Sequence, residues 1–571
     1  MPPPMEGTQA TYRDNLNSRR EFGGRCPPYA AAAGAVALAP REASDTGSGA
    51  MGLAMRCASA ARRRAAYVWR RLTVGRMQPA VPAALAWLAH HGRQRGLSPA
   101  TGDNHPCPGL TGAGLETLAG YGQIDLARAW TAWLLSVQLA DGAFPDAGLR
   151  HASLINTARV LRGFVVGSDE FPECHAAARR AADYLAKCID AKGRLAPVDL
   201  AGSSFELWAP PSLFLACLPP LKSAARRWGV ADWSDAADRA EARLFRRMDL
   251  TTWTGPGPAF AGVVEALLDL GHDNHARQAL RGPAALQRRD GSVPAGPAAE
   301  WTASAGLARW ATVWYTLGER GRADRALACL RRRQLSSGAL VGSWGRGACD
   351  HPRRESAWAV RNFLDAARLQ VETAFETSEQ ILPDSIAPSD GRMQAARRWL
   401  AGLRPDAVVA DVGCGSGRFL RQLAAEFPLL RFIGIDPSRR LLAELPAYVE
   451  PRQGGLLRIP AADGEFDGVL AVESLEHALL PDHAVREICR VVRPGGSVLI
   501  IDKHRARQAL SRHEPWEQWF EPEQVAAWLS AGCGHVRVEP VSHGSRPPSR
   551  PLFVAWSGTA RREHSVRKLA A

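Results

Sequence analysis

Apolar positions change texture twice along the chain. From residue 77 to about 375 they are mostly Ala, Leu and Trp at helical spacing, and before residue 77 there is little globular patterning. After a stretch with Pro383, Asp384, Pro388, Ser389, Asp390 and Gly391, a helix is expected from Met393 to Leu403. From Ala407 onward short β-branched runs alternate with helical ones, which predicts a mostly parallel sheet with crossover helices. Strands are expected near Ala407 to Asp411, Arg431 to Asp436, Leu456 to Ile459, Phe466 to Val472, Ser497 to Asp502, His535 to Glu539 and Leu552 to Trp556.

The helical stretch repeats itself. Gln138-x-x-Asp141-Gly142, Lys192-Gly193, Gln287-x-x-Asp290-Gly291 and Gln334-x-x-Ser337-Gly338 each follow a helical run, and the glycine spacings imply a period near 49 residues with one degenerate copy around Ala236 to Met248. Each unit reads as two helices and a Gly turn, and one such hairpin cannot bury its apolar face alone, so the units must stack or close. This resembles the α/α-toroid of squalene-cyclase and prenyltransferase-type repeats. The Asp-x-Asp-Asp run of class II cyclases is absent and no prenyltransferase zinc site can be assigned, so the resemblance brings no chemistry. Twelve of the 18 tryptophans lie here and read first as packing between helices, second as a binding face. Asn104, His105, Glu116, Asn156, His351 and Glu355 are candidate polar residues, each more readily a surface or capping group.

Chemistry concentrates after Ala407. The first strand ends in Asp411-Val412-Gly413-Cys414-Gly415-Ser416-Gly417, where alternate glycines allow a tight turn that a cofactor approaches without meeting Cβ atoms. The spacing is G-x-G-x-G, not the G-x-G-x-x-G of a dinucleotide fingerprint. The second strand ends in Asp436, an acid placed to accept hydrogen bonds from both hydroxyls of a ribose. Further motifs follow in order: Asp463-Gly464-Glu465-Phe466-Asp467, Glu473-Ser474-Leu475-Glu476-His477 and Arg493-Pro494-Gly495-Gly496.

Together these motifs resemble the class I S-adenosylmethionine-dependent methyltransferases, within them the ubiquinone/menaquinone-biosynthesis-like type 11 group. The resemblance implies a Rossmann-like fold with a mostly parallel seven-stranded sheet and S-adenosyl-L-methionine as cofactor. It assigns Asp411, Gly413, Gly415 and Gly417 to the cofactor loop and Asp436 to the ribose. Leu456 and Leu457 would line the adenine pocket, and Glu473 would face the methionine and substrate. Gly454-Gly455 stands where many relatives have Gly-Asp, so the acid that meets the adenine amino group is missing.

Positioning a nucleophile in line with the S–CH3 bond supplies most of such a rate, and a hydroxyl or carbon nucleophile also needs a base. His477 and Glu476 are the nearest candidates; His504, Trp516 and Trp519 are expected to face substrate, the two tryptophans three residues apart on one helix face. They either cover the site or dock the helical region. The layout of helical repeats followed by this fold resembles bacterial proteins of exopolysaccharide biosynthesis. That implies O-methylation of a saccharide or glycolipid, with a quinone, polyketide or other small lipid as the alternative acceptor; a third reading is a repeat scaffold with a weakly active cofactor module.

The expected domains are a disordered basic tail (1–76), the toroid (77–372), a linker (373–394), the methyltransferase domain (395–558) and a disordered C-terminal tail (559–571). The net charge of +14 does not signal nucleic acid: 12 Arg against five acids fall within residues 1–76, and 66 Arg against five Lys reads as codon bias. Residues 51–76 are a candidate for peripheral contact with an anionic membrane. Ser18-Arg19-Arg20-Glu21-Phe22 resembles the start of a twin-arginine signal, but an almost all-Ala apolar region behind Pro27-Pro28 argues against export. Eleven scattered cysteines with no C-x-x-C read as reduced thiols, and the expected location is the cytoplasm.

Overall fold

A computed structural model describes residues 80–92, 96–195, 211–376, 386–510, 514–542 and 551–561. The expected basic tail, including the candidate membrane segment, lies outside the described residues.

In the helical region one set of helices is the more deeply buried: Pro108–Gly120, Leu154–Val166, Leu218–Trp228, Gly257–Asp269, Ser304–Thr316 and Ala357–Glu376, with Arg226 and Arg227 exposed at the end of the third. Each packs on the next, aided by the short turn Pro211–Cys217, and the last returns to Pro108–Gly120. The alternating helices Ala80–His91, Ile124–Val137, His175–Lys187, Ala231–Arg247, the pair Asp273–Ala279 and Arg281–Leu286, and Arg320–Arg331 lie outside them. They bury only one stripe, as surface helices do.

The repeated turns explain their own sequence. Gly142, Gly193, Gly291 and Gly338 all have φ between +71° and +93°, and a Cβ on any of them would strike the backbone of the next outer helix. Only glycine meets both demands. The turn glutamines tie the same junction: Gln334 Nε2 donates to Gly338 O and to Ala80 O, both at 2.7 Å, as Gln138 does to Gly142 O and Ala177 O. Ala80 belongs to the first described helix, so the last turn meets the beginning of the region. At the degenerate copy, the Asp249 carboxylate holds the loop through Thr251 and Thr252 without the Gln-Gly pair.

The C-terminal sheet comprises β1 (Val408–Val412), β2 (Arg431–Asp436), β3 (Glu450–Gln453), β4 (Phe466–Val472), β5 (Val492–Lys503), β6 (Cys533–Val541) and β7 (Phe553–Ala560), in the order β6-β7-β5-β4-β1-β2-β3. Pairing among β1 to β5 is parallel, and β7 runs antiparallel to both its neighbours. Ala410, Ile433, Val469 and Ile500 enter one core layer while Val409, Phe432, Leu470 and Leu499 enter the other. Burial on both faces is why these strands read as continuous apolar runs.

The third strand departs from expectation: it lies at Glu450–Gln453, and Leu456 to Ile459 forms the turn after it. As an edge strand paired only to β2 it is largely exposed, so it carries charge and Pro451 rather than an apolar pattern. The expected linker also carries structure at both ends, since one helix runs to Glu376 and the next starts at Gly391, capped by Asp390. β7 reaches Ala560, past the expected end of the domain. Eight cysteines among the described residues are free, whereas Cys349 is disulfide-bonded. No helix among the described residues is long and apolar enough to cross a membrane.

Candidate active site

The glycine loop leaves β1 with φ of +82° at Gly413, +56° at Gly415 and +80° at Gly417. A Cβ on Gly413 would collide with Ser474 and one on Gly417 with Leu445, whereas Gly415 faces open space. The loop is thus packed from behind and bare in front. At the tip of β2, Asp436 is 6% exposed, and its carboxylate accepts from Gly415 N and from Ser438 N, each at 2.9 Å. Those bonds aim it at the space above the loop, where it can take a sugar diol. The carboxylate of Asp411, a residue 3% exposed, has no hydrogen-bond or ion-pair partner among the described residues; burial, then the neighbouring Asp436 charge, pushes it up to about 7. A ligand ammonium is the complement it lacks.

Glu473, at the end of β4, has φ of +54°. Its carboxylate is already engaged by Arg418, at 2.7 Å, and by Arg392. Arg392 is held in turn by Asp390 and lies over the ring of Phe553. Glu473 therefore anchors two guanidinium groups beside the loop rather than standing free. Leu456 and Leu457 line the same space, and Leu457 also packs against the helical core, its carbonyl 2.9 Å from His483 Nε2.

His477 ends a short 3₁₀ turn, its ring wedged between the two regions of the chain. Trp516 Nε1 lies 3.3 Å from His477 Nδ1; indole only donates, so Nδ1 accepts and the neutral ring carries its proton on Nε2, 3.4 Å from Glu476 Oε1. Burial pushes the imidazole down to about 4, opposed by Glu517. Glu476 is 2% exposed; Lys503 Nζ holds its Oε1 at 2.9 Å, while Oε2 has no partner. Burial, reinforced by Asp502, raises this carboxyl well above its ordinary range. Ligand atoms of Glu476, His477 and Glu517 lie within 4.8 Å of one another, and the Lys503 ammonium bridges the two carboxylates.

Two of the expected substrate-facing residues are elsewhere. His504 is absent from the cavity wall, its Nε2 3.5 Å from Glu521. Trp519 lies behind the wall, donating to Glu517 and lying beneath Lys503. Trp516 does line the cavity, and it also joins the helical core. The two tryptophans do not share a helix: residues 514–519 are irregular because Gln518 is tied through its backbone and side-chain N–H groups to the carbonyls of Glu476 and Ala478, each at 2.8 Å.

These groups border one cavity of about 1270 Å³ that continues across to the helical region, where Glu116, Val166, Arg320, Arg368, Val371 and Phe375 complete it. The contributions of Arg392, Phe375 and Arg320 were not foreseen. Arg392 sat in an expected linker, and no local pattern marks the end of a long helix as part of a site.

A methyltransferase-domain family model matches residues 410–500. The chain is 31% identical over 211 residues to 2-phytyl-1,4-naphthoquinone methyltransferase of Thermosynechococcus vestitus, a match spanning 33% of this chain and 93% of that one. It is 35% identical over 138 residues to an uncharacterised 37.1 kDa protein of a Streptomyces fradiae transposon, covering 21% of this chain and 40% of the relative's length. Among solved structures, an S-adenosylmethionine-dependent methyltransferase of Thermotoga maritima is 22% identical over 30% of this chain and 88% of its own, with a TM-score of 0.25. With a glycine loop and acid-tipped strands in the order that family uses, and a relative covered over nearly its whole length, the chain belongs to the S-adenosylmethionine-dependent methyltransferases.

Proposed function

We propose that the enzyme methylates a small acceptor with an apolar body, of the quinone, polyketide or lipid class, bound where the two regions meet, and that His477 receives the acceptor's proton. The carrying observation is the size and continuity of the cavity. At about 1270 Å³ it exceeds the roughly 300–1,000 Å³ usual for one ligand, so there is room for an acceptor beside the cofactor.

The residues present fit the cofactor. Asp436 would hold the ribose, Asp411 the methionine ammonium, and the bare face of Gly415 leaves the approach open. When bound, S-adenosylmethionine supplies an electrophilic methyl on a sulfonium. His477 is neutral at physiological pH and takes a proton at Nδ1, where its bond to Trp516 is long. Lys503 holds Glu476, and Arg418 and Arg392 hold Glu473, so neither carboxylate swings into the acceptor space.

Val166, Val371, Ala374, Phe375, Leu479 and Trp516 favour an apolar acceptor. On the helical wall Arg368 and Glu372 pair with each other and Glu116 pairs with Arg162 and Arg361, which leaves few free polar groups for sugar hydroxyls and weighs against the saccharide expected from domain order. A relative named for a phytylated naphthoquinone points the same way. In this reading the helical region is an α/α-toroid of six hairpins that presents the acceptor to a cytoplasmic enzyme. The test is incubation of the full chain with methyl-labelled cofactor and fractionated cell extract. Label in organic-soluble small molecules is expected; label in polysaccharide alone reverses the choice of acceptor, and cofactor binding with no transfer favours the scaffold reading.

A further inference from the structure

We infer that the acceptor carries an anionic group, a carboxylate or a phosphate, and that Arg320 binds it. This rests on the proposed function and names its substrate class more closely.

Seven cationic side chains border the cavity, and six of them are paired with a carboxylate. Arg368 holds Glu372 at 2.7 Å, Arg418 holds Glu473 at 2.7 Å and Lys503 holds Glu476 at 2.9 Å; Arg392, Arg440 and Arg458 are paired likewise. Asp411 and Asp436 are spoken for by the ammonium and ribose of the cofactor. Arg320 alone among the described lining cations has no carboxylate partner.

It is nevertheless held in place. One Nη donates to Thr373 Oγ1 and the other to Gln370 O, each at 3.1 Å. The guanidinium carbon lies 5.5 Å from the centroid of Trp516 and 5.6 Å from that of Tyr315. A guanidinium has five N–H donors in a fixed plane, so donors remain for a ligand at little further entropic cost. Leaving a half-buried cation unpaired against two rings costs free energy that an anionic ligand returns.

Trp516 sets the distance. The same indole meets His477 Nδ1 through its N–H and Arg320 through its face. The anionic group therefore sits about one indole width from the atom that takes the proton. That geometry fits a hydroxylated acid or phosphate ester of aromatic size, its body on the apolar wall.

The test is calorimetry on the full chain saturated with S-adenosylhomocysteine, titrated with 4-hydroxybenzoate, phenyl phosphate and, as neutral counterpart, phenol. At least one anion is expected to bind about tenfold or more tightly than phenol, as a charge-assisted bond would give. Whichever anion binds better identifies carboxylate or phosphate. Arg320→Ala should abolish the preference and Arg320→Lys keep part of it, with S-adenosylhomocysteine affinity unchanged in both as evidence of folding. Phenol binding as well as the anions, a preference that survives Arg320→Ala, or no heat from any probe in a chain that binds S-adenosylhomocysteine would each overturn the inference alone. Absence of S-adenosylhomocysteine binding overturns the proposed function and this inference with it.

Discussion

Phe375 meets His477 edge-on, ring centroids 5.0 Å apart and planes at 73°. The first residue lies at the end of the helical region and the second lines the cavity from the C-terminal region, where we propose that it acts as the base. One residue on, Glu376 accepts from Ser438 Oγ at 2.6 Å and from Arg439 N at 3.0 Å, directly behind Asp436. The last helix of one region thus touches both the proposed base and the turn that supports Asp436, the proposed ribose acid, in the other.

Glu376→Gln should weaken S-adenosylhomocysteine binding about three- to tenfold, since a capping carboxylate is worth about 1 kcal/mol and Ser438 N orients Asp436. Thermal melting should barely move and Glu376→Asp should recover part of the affinity. Unchanged affinity in Glu376→Gln would show that the helix end only packs there.

Asp411 gives cofactor affinity a pH dependence. Its folded value of about 7 means that the free protein holds a proton there at mildly acidic pH, and the ionised form is the one an ammonium needs. Affinity should fall as pH drops from 8 to 6, and Asp411→Asn should flatten the profile at a weaker level. The sign for stability is opposite. Because the folded value is raised above 3.8, the stabilising effect of this proton is complete below about pH 4 and lost as pH rises through 7. Asp411→Asn should melt higher than the parent at pH 8, by about 2–4 °C per kcal/mol relieved.

His477→Ala should lower kcat by about 10²- to 10⁴-fold with S-adenosylhomocysteine affinity retained. Since the ring is held down to about 4, kcat should show no histidine limb between pH 5.5 and 7. Trp516→Phe removes the donor at Nδ1 and should move the His477 titration upward, read by NMR of the imidazole.

Gly338→Ala tests the junction between the last repeat and the first helix. With φ of +89° and the Ala83 backbone where a Cβ would go, the substitution should cost about 1–3 kcal/mol in denaturant unfolding. Gly271→Ala, also at positive φ but with open space around it, should cost less.

A Cβ on Gly455 would meet nothing within 4 Å, at the place where the family resemblance leads one to expect an acid. Gly455→Asp should tighten S-adenosylhomocysteine binding, up to about tenfold, by calorimetry. Binding that stays the same would show that the adenine amino group lies elsewhere.

Residues whose demands are local were legible. Gly413, Gly415, Gly417 and the repeat glycines sit at positive φ, a restriction the sequence marks with glycine at these positions though not at Glu473. β1, β2 and β4 are buried on both faces and so are mostly apolar, their acids Asp411, Asp436 and Asp467 lying at or near the strand ends. β3 had no such signal, because an edge strand with both faces wet is selected for charge. The helix expected through Trp516 and Trp519 failed for another reason: Gln518 found its partners at Glu476 and Ala478, some 40 residues away, and a turn-by-turn pattern cannot register that competition.

By itself the amino-acid order determined the chemistry of the donor side: a side-chain-free bend, acids at two strand ends, and helical hairpins that cannot stand alone. Only the tertiary structure decided which side chains face that loop across the cavity, because Arg320, Phe375 and Trp516 come from separate parts of the chain and meet through burial shared between two regions. Backbone geometry constrains neighbours in sequence, whereas a cavity wall is set by whichever side chains the packing of whole layers brings opposite one another.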